Sequence, residues 1–292
     1  MADCKPVTTP MPGKVCVITG ANTGIGKAAA GALAALGARI VMVCRDRARG
    51  ERALADIAAA AANGGLGGGA ELFIADLSSQ SDIRAVAAGI LAAHPRIDVL
   101  VNNAGVALNH RELTVDGVER TFAVNYLAYF MLANLLLPAL RAAGRARIVN
   151  VSSNAHRRGR LDFDNLQGER RYSNIRMYSE SKLEDLMFTY ALSRRLAGSG
   201  ITVNALHPGV VATEIWRQVP ILDFLSGWLM LSPEKGARTT VYLAASPDVE
   251  GVTGKYFDKC KPAGTIELSH DVVLQERLWA TSVALTGVGA DI

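Results

Sequence analysis

Short, unbroken apolar runs alternate along this chain with longer stretches in which apolar residues return every third or fourth position. The first run, Lys14-Val15-Cys16-Val17-Ile18-Thr19, has no polar alternation, as expected of a strand whose sheet is covered on both faces. Comparable runs recur at residues 39–44, 72–75, 98–101, 147–151 and 201–206, with a short last candidate at 255–257. Helical periodicity fills the intervals: 27–36, Asp46 to about Ala62, Asp76 to about His94, about Val115 to Arg141, the segment around Tyr178, and 269–286. Local signals bound several of these helices. Gly37 reads as the residue that ends the first, Asp46 as an N-cap, and Ser232-Pro233-Glu234 as a cap followed by a first-turn proline. Pro138 is expected to break or kink the long helix.

Strands alternate with helices throughout, and no shift in composition divides the chain. The prediction is a single doubly wound, Rossmann-type α/β domain over residues 14–292, with a mostly parallel sheet of six or seven strands. Residues 1–13, with three prolines and no periodicity, read as an extended lead-in. The glycine-rich stretch at 63–69 joins a helix to a strand and is too short for a domain linker.

Composition narrows the function classes. Half of the 292 residues are apolar and a fifth are charged, which excludes global disorder. A net charge of +4, dispersed along the chain, gives no reason to expect nucleic acid; Arg157, Arg158 and Arg160, and the pair Arg170-Arg171, read as solvated loop residues. The four cysteines (Cys4, Cys16, Cys44 and Cys260) show no metal-binding spacing and no paired framework, so neither zinc nor a disulfide is expected. The N-terminus lacks the apolar core of a signal peptide, and no apolar run is long enough to span a membrane. A soluble protein of the reducing cytoplasm is the expectation.

Chemistry concentrates where strands end. In an open parallel sheet ligands bind beyond the carboxyl ends of the strands, and polar or glycine signals stand at six such ends: Gly20–Gly26, Arg45, Asp76, Asn102–Gly105, Ser153, and Pro208–Thr213. Gly20, Gly24 and Gly26 allow a tight turn and close backbone approach, and the helix that follows points its N-terminus at a pyrophosphate. At the end of the second strand Arg45 suits the 2′-phosphate of NADP(H). Asp46, twenty residues after Gly26, can instead be read as an acid for the ribose of NAD(H) or as the cap of the next helix. The capping reading makes NADP(H) the preferred cofactor, with NAD(H) the second candidate. Tyr178 and Lys182 are four apart on a helix and share one face, where a cation favours ionisation of the phenol and fits it for proton transfer. By itself this spacing is common on helix surfaces.

Taken together, TGANTGIG, Asp76, NNAG, Asn125 within FAVNYLAYF, the Ser152-Ser153 pair, YSESK and HPGVVAT resemble the short-chain dehydrogenase/reductases over about residues 12–260. The retinol-dehydrogenase-like branch is a closer likeness, through VCRD, RIVNVSSNAH, SKL, HPGVVATE and the late RLWATS. The resemblance implies an NADP(H)-dependent alcohol dehydrogenase or carbonyl reductase acting on an apolar alcohol, aldehyde or ketone, retinoid or steroid included. Tyr178 would be the acid/base, Lys182 its modulator and a ribose contact, Ser153 a partner of the substrate oxygen, and Asn125 the holder of a relay water. The implied cofactor contacts are Gly20, Asn22, Thr23, Gly24, Ile25, Gly26, Arg45, Asp76, Leu77, Asn103, Ala104, Gly105, Tyr178, Lys182, Pro208, Gly209, Val211 and Thr213.

Ser152 should point away from the site by strand alternation, Asn102 and Asn150 should support the loops, and His156 and His207 should be structural. Ser153 precedes Tyr178 by 25 residues, and the extra chain, roughly 156–174, should form a loop at the site mouth. The apolar stretch within 212–232 reads as a substrate lid, which could also touch a membrane surface, or as an ordinary packing helix. A homodimer or homotetramer through the long helix and the Tyr178 helix is compatible with their apolar stripes, which could equally be buried on the sheet. Two other classes compete: a non-catalytic dinucleotide sensor or scaffold, which needs no Tyr–Lys pair, and a nucleotide-binding methyltransferase, which needs only the glycine loop.

Overall fold

Strands made wholly of apolar residues need helices on both faces of their sheet, and the chain supplies them. The computed structural model describes residues 4–210 and 231–292. Its strands are β1 (Val15–Thr19), β2 (Arg39–Cys44), β3 (Gly69–Ile74), β4 (Val99–Asn102), β5 (Ala146–Val151), β6 (Ile201–His207), β7 (Lys255–Asp258) and β8 (Lys261–Pro262). They form one sheet in the order β3-β2-β1-β4-β5-β6-β7-β8, parallel except for β8. The order reverses between β1 and β4, which opens a crevice at their carboxyl ends.

Eight strands exceed the six or seven expected. The additional one is a two-residue strand that turns back on β7 through Lys259 and Cys260, both at positive φ (50° and 59°). Two residues carry no readable periodicity.

Strand alternation divides the core. Cys16, Ile18, Ile40 and Met42 face the layer of α1 (Gly24–Ala35), α2 (Arg47–Gly64) and α8 (Pro233–Ala245). Val17, Val41, Val43 and Leu100 face the other layer: α3 (Gln80–Ala93), α4 (Arg120–Phe122), α5 (Ala128–Leu135), α6 (Leu137–Ala142), α7 (Asn174–Arg195) and α9 (Val272–Thr286). The predicted caps are in place. Asp46 accepts from the Arg49 N–H at 2.9 Å, Ser232 accepts from the Lys235 N–H, and Gly37 follows the α1 C-cap at φ 95°.

The expected helix from Val115 to Arg141 begins later and is interrupted. Val115 is an exposed turn residue, and Glu119 caps α4 by accepting from Phe122 N–H at 2.7 Å. A π turn at Ala123–Leu127 then joins α4 to α5, and Pro138 sits in the first turn of α6 after the break. The C-terminal helix also starts later than expected, at Val272 behind an Asp271 cap, with a short 3₁₀ turn at Glu267–His270. Much of the glycine-rich stretch is not a loop: Asn63 and Gly64 finish α2, Gly65 ends it at φ 67°, and Gly69 starts β3.

The cysteine reading needs the largest correction. Cys4 and Cys260 form a disulfide, with Cα atoms 5.5 Å apart, tying the lead-in to the β7–β8 turn. They are 256 residues apart, so only the folded sheet edge brings them together and no spacing could announce it. Cys16 and Cys44 are buried thiols, as expected. Among the described residues no helix is long and apolar enough to cross a membrane.

Candidate active site

The crevice at the β1/β4 switch opens into a cleft of about 480 Å³. Its floor is the glycine turn after β1. Gly20 (φ 67°) and Gly24 (φ 53°) occupy left-handed backbone that other residues adopt at a cost, and Gly26 is held by space. A methyl group at Gly26 would overlap the Asn103 amide and the Gly20 carbonyl. Asn103 fastens this turn to the end of β4: its Nδ2 donates to the Thr19 carbonyl at 2.8 Å and its N–H donates to Thr19 Oγ1 at 2.8 Å.

Gly20, Asn22, Thr23, Gly24, Ile25 and Gly26 line the cleft, as do Arg45, Asp76, Leu77, Asn103, Ala104, Gly105, Pro208 and Gly209. Val211, Thr213 and nearly all of the lid interval lie outside the described residues. Asp46 borders the cleft, and its carboxylate caps α2 by accepting from the Arg49 N–H, while Arg45 lines the same end of the cleft. Arg49, in the first turn of α2, also lines the cleft and was not foreseen.

Ser153, Tyr178 and Lys182 reach the same cleft from the other half of the sheet. Ser153 lies two residues past the end of β5, and its side chain hydrogen-bonds Tyr178. Ser152 points the other way, as alternation requires, and donates to the Lys182 carbonyl at 2.7 Å. The ammonium of Lys182 donates to the Val151 carbonyl at 3.0 Å and to Asp185 Oδ2 at 2.9 Å, and lies 5.8 Å from the Tyr178 ring centre. Burial raises the Tyr178 phenol above its ordinary value; Lys182 and the Ser153 hydrogen bond oppose the rise, and Asp185 adds to it. The net lowering expected from the Tyr–Lys spacing is therefore not reached in this state, because burial outweighs the cation.

Asn125 stands behind the cleft within the π turn and is fully buried. Its Oδ1 accepts from the Val106 N–H at 2.7 Å, while its Nδ2 donates to the Val106 carbonyl at 2.9 Å and to Ser181 Oγ at 3.0 Å. The side chain thus clamps the NNAG segment to α7. Asn102 and Asn150 do not support loops. Asn102 donates to Asn150 and Asn150 donates to Thr189 Oγ1, both at 2.9 Å, a buried polar chain from β4 to α7.

Both histidines are bonded to groups of the β5–α7 connection, and His207 also lines the cleft. His156 Nδ1 lies 2.7 Å from the Ser153 carbonyl and its ring packs edge-on against Tyr256; burial keeps its pKa below the usual histidine value. His207 Nδ1 accepts from the Asn154 N–H at 3.3 Å. The insertion at roughly 156–174 does reach the mouth, where Tyr172 donates to the Leu108 carbonyl at 2.9 Å and Leu108 lines the cleft. Arg157, Arg158, Arg160, Arg170 and Arg171 are exposed, and the apolar stripes of α5 and α7 are buried within the chain.

Comparison with known proteins agrees with this architecture. The family model for short chain dehydrogenases matches residues 14–221. Retinol dehydrogenase 13 of Homo sapiens is 43% identical, over 98% of this chain and 88% of its own. Retinol dehydrogenase 14 of Mus musculus is 41% identical, over 95% and 87%. Among solved structures, an uncharacterized protein from Mycobacterium Paratuberculosis superposes with a TM-score of 0.78 at 34% identity, covering 96% of both chains. A structure described as an NAD(P) dependent gluconate 5-dehydrogenase from Beutenbergia cavernae with bound NADP superposes with a TM-score of 0.69 at 30% identity, covering 87% of this chain and 97% of that one.

Proposed function

The chain belongs to the short-chain dehydrogenase family, and on that premise we propose that it is an NADP(H)-dependent oxidoreductase interconverting an apolar alcohol and its carbonyl. The observation that carries the reading is the meeting of Ser153, Tyr178 and Lys182 with the glycine turn in one cleft. The glycine turn fits a dinucleotide, since Gly20 and Gly26 leave open the space that side chains would fill. Arg45 and Arg49 stand at the end of the cleft where the adenosine 2′-phosphate would lie, which favours NADP(H) over NAD(H). Asp76 and Leu77 would border the adenine, and Asn103, Ala104, Gly105, Pro208, Gly209, Val211 and Thr213 the rest of the cofactor.

When bound, the nicotinamide supplies or accepts the hydride. The protein's own residues manage the proton and the charge. Tyr178 gives its proton to the carbonyl oxygen in reduction and recovers it in oxidation, while Ser153 donates a hydrogen bond to the same oxygen as negative charge develops there. Lys182 supports the phenolate and holds the nicotinamide ribose. Asn125 serves the proton relay through its main chain, because its side-chain amide is engaged with Val106 and Ser181. The retinol dehydrogenases among the relatives point to a long apolar alcohol or aldehyde as substrate, and a lid within 212–232 would cover it.

A panel of apolar aldehydes and ketones, followed by the absorbance of NADPH and NADH, tests cofactor and substrate class together. Replacing Tyr178 with Phe should lower turnover by ~10²–10⁴ through loss of the acid and leave NADPH binding nearly unchanged. Undiminished turnover in Y178F, or tight NADPH binding with no oxidation across the panel, refutes the reading.

A further inference from the structure

A cation meant to act on a phenol is ordinarily left free to do so. Here Lys182 has an anionic partner inside the protein. Three residues along α7, Asp185 places Oδ2 2.9 Å from the Lys182 ammonium, and both side chains are buried, Asp185 completely. Asp185 Oδ1 has no hydrogen-bond partner among the described residues, so the ion pair is that carboxylate's main stabilisation. A carboxylate at contact distance turns the ammonium into one end of a dipole. Seen from the Tyr178 ring, 5.8 Å from Nζ, much of the lysine's field is then cancelled.

We propose that Asp185 is a positioning residue, which holds the Lys182 ammonium in place, partly neutralises it toward Tyr178, and thereby moves the pH window of alcohol oxidation upward. The inference rests on Tyr178 being the acid/base.

The surroundings assign this role to Asp185 alone. From α7 the titratable groups facing it are Lys182, Tyr178 and Glu184, from the π turn Tyr126, and from α5 Tyr129. The nearby strand ends of β4 and β5 bring the uncharged Asn102 and Asn150, joined to Thr189, whose hydroxyl donates to the Asp185 carbonyl at 2.7 Å. Burial holds Tyr126, Tyr129 and Glu184 above their ordinary values, so the charged form of each is disfavoured. Asp185 itself is pushed by burial to about 7 against the pull of Lys182, which places its charge within the range where such a site works. As pH rises through that value the carboxylate forms and the cation's effect on Tyr178 weakens.

The test is the pH dependence of kcat/KM for alcohol oxidation, with Asp185→Asn beside the wild-type protein. Asparagine keeps the shape and an oxygen that Lys182 can donate to, but removes the charge. The acidic limb, which reports formation of the Tyr178 phenolate, should then move down by ~1 unit or more, raising the rate about tenfold per unit at a pH on that limb. A limb that stays in place while the rate falls uniformly identifies a merely structural residue and overturns the inference, as does a limb that moves up. Asp185→Ser repeats the comparison should D185N fail to fold, with the same expected direction. Y178F is run in parallel. Full activity in Y178F defeats the assignment of Tyr178 itself, whereas an inactive Y178F with an unmoved D185N limb defeats only the role of Asp185.

Discussion

The two faces of the sheet are covered by different means. On one, α1 and α2 meet through small residues, Ala29, Ala30 and Ala34 against Ala53 and Ala61, and their charges face water in pairs such as Lys27–Asp56 and Arg47–Glu51. On the other, the filling is aromatic: Phe122, Tyr126, Phe130, Phe188 and Trp279 pack ring against ring. There α7 is buried without interruption from Met177 to Leu192, with Glu180, Lys182, Glu184 and Asp185 inside. The π turn, α5 and β5 enclose Lys182 and Asp185, and α9 lies over the later turns of α7, fastened by Arg194 and Arg195 to Glu276 and by Tyr126 to Ser282. An ionisable group that faces water keeps ordinary properties, whereas one roofed over by apolar rings does not. The first face therefore contributes backbone shape to the cleft, and the second contributes perturbed charge.

Removing the roof should break the contrast with the largest effect. Trp279 is nearly buried, its ring 4.9 Å from Phe130 and 6.0 Å from Phe188, with the Arg195 guanidinium 4.0 Å from its centre. Trp279→Ala should cost ~3–5 kcal/mol of stability, read from the urea midpoint. A change below ~1 kcal/mol would show that α9 is not what buries the later turns of α7. On the opposite side Gly26→Ala adds one methyl where Asn103 and the Gly20 carbonyl already stand. Its stability cost should be smaller, ~1–3 kcal/mol, and its signature is loss of the thermal stabilisation that NADPH gives the wild type. If NADPH protects G26A as well as the wild type, the glycine is not needed for close approach of the cofactor.

This division also explains what could be read from the chain before folding. The glycine turn, the capping aspartate, the strand ends and the Tyr178–Lys182 face follow from local rules: positive φ, close approach, i, i+4 spacing. Each of those is a property of neighbouring residues, and the structure places each in the cleft where described. What was not legible depends on distant elements. The burial of Glu184 and Asp185 is one such case: they are polar residues on a helix, enclosed by the π turn and α5, which begin more than fifty residues earlier in the chain. The Cys4–Cys260 bond is of the same kind, as is the eighth strand. The π turn at Asn125 lies between these cases, since its residues are helical in pattern and the widening comes from an amide that pairs with both main-chain groups of Val106.

The smallest effect concerns Glu184, whose carboxyl oxygens are both buried with no hydrogen-bond partner among the described residues. Burial, then the neighbouring acids Glu180, Asp185 and Glu119, hold its pKa well above the ordinary value. A carboxyl whose folded pKa is raised contributes stability that is complete below its unfolded value and is lost as pH rises toward the folded value. The wild type should thus lose stability above about pH 4.5, and Asp185, pushed to about 7 by burial, adds a second loss in the same direction. Glu184→Gln abolishes the first of these and leaves the second. Its advantage in melting temperature over the wild type should be larger near pH 8 than near pH 5, by on the order of 1 kcal/mol. An offset of equal size at both pH values would mean that Glu184 is not held neutral under the aromatic roof, and that the two faces differ in packing but not in charge.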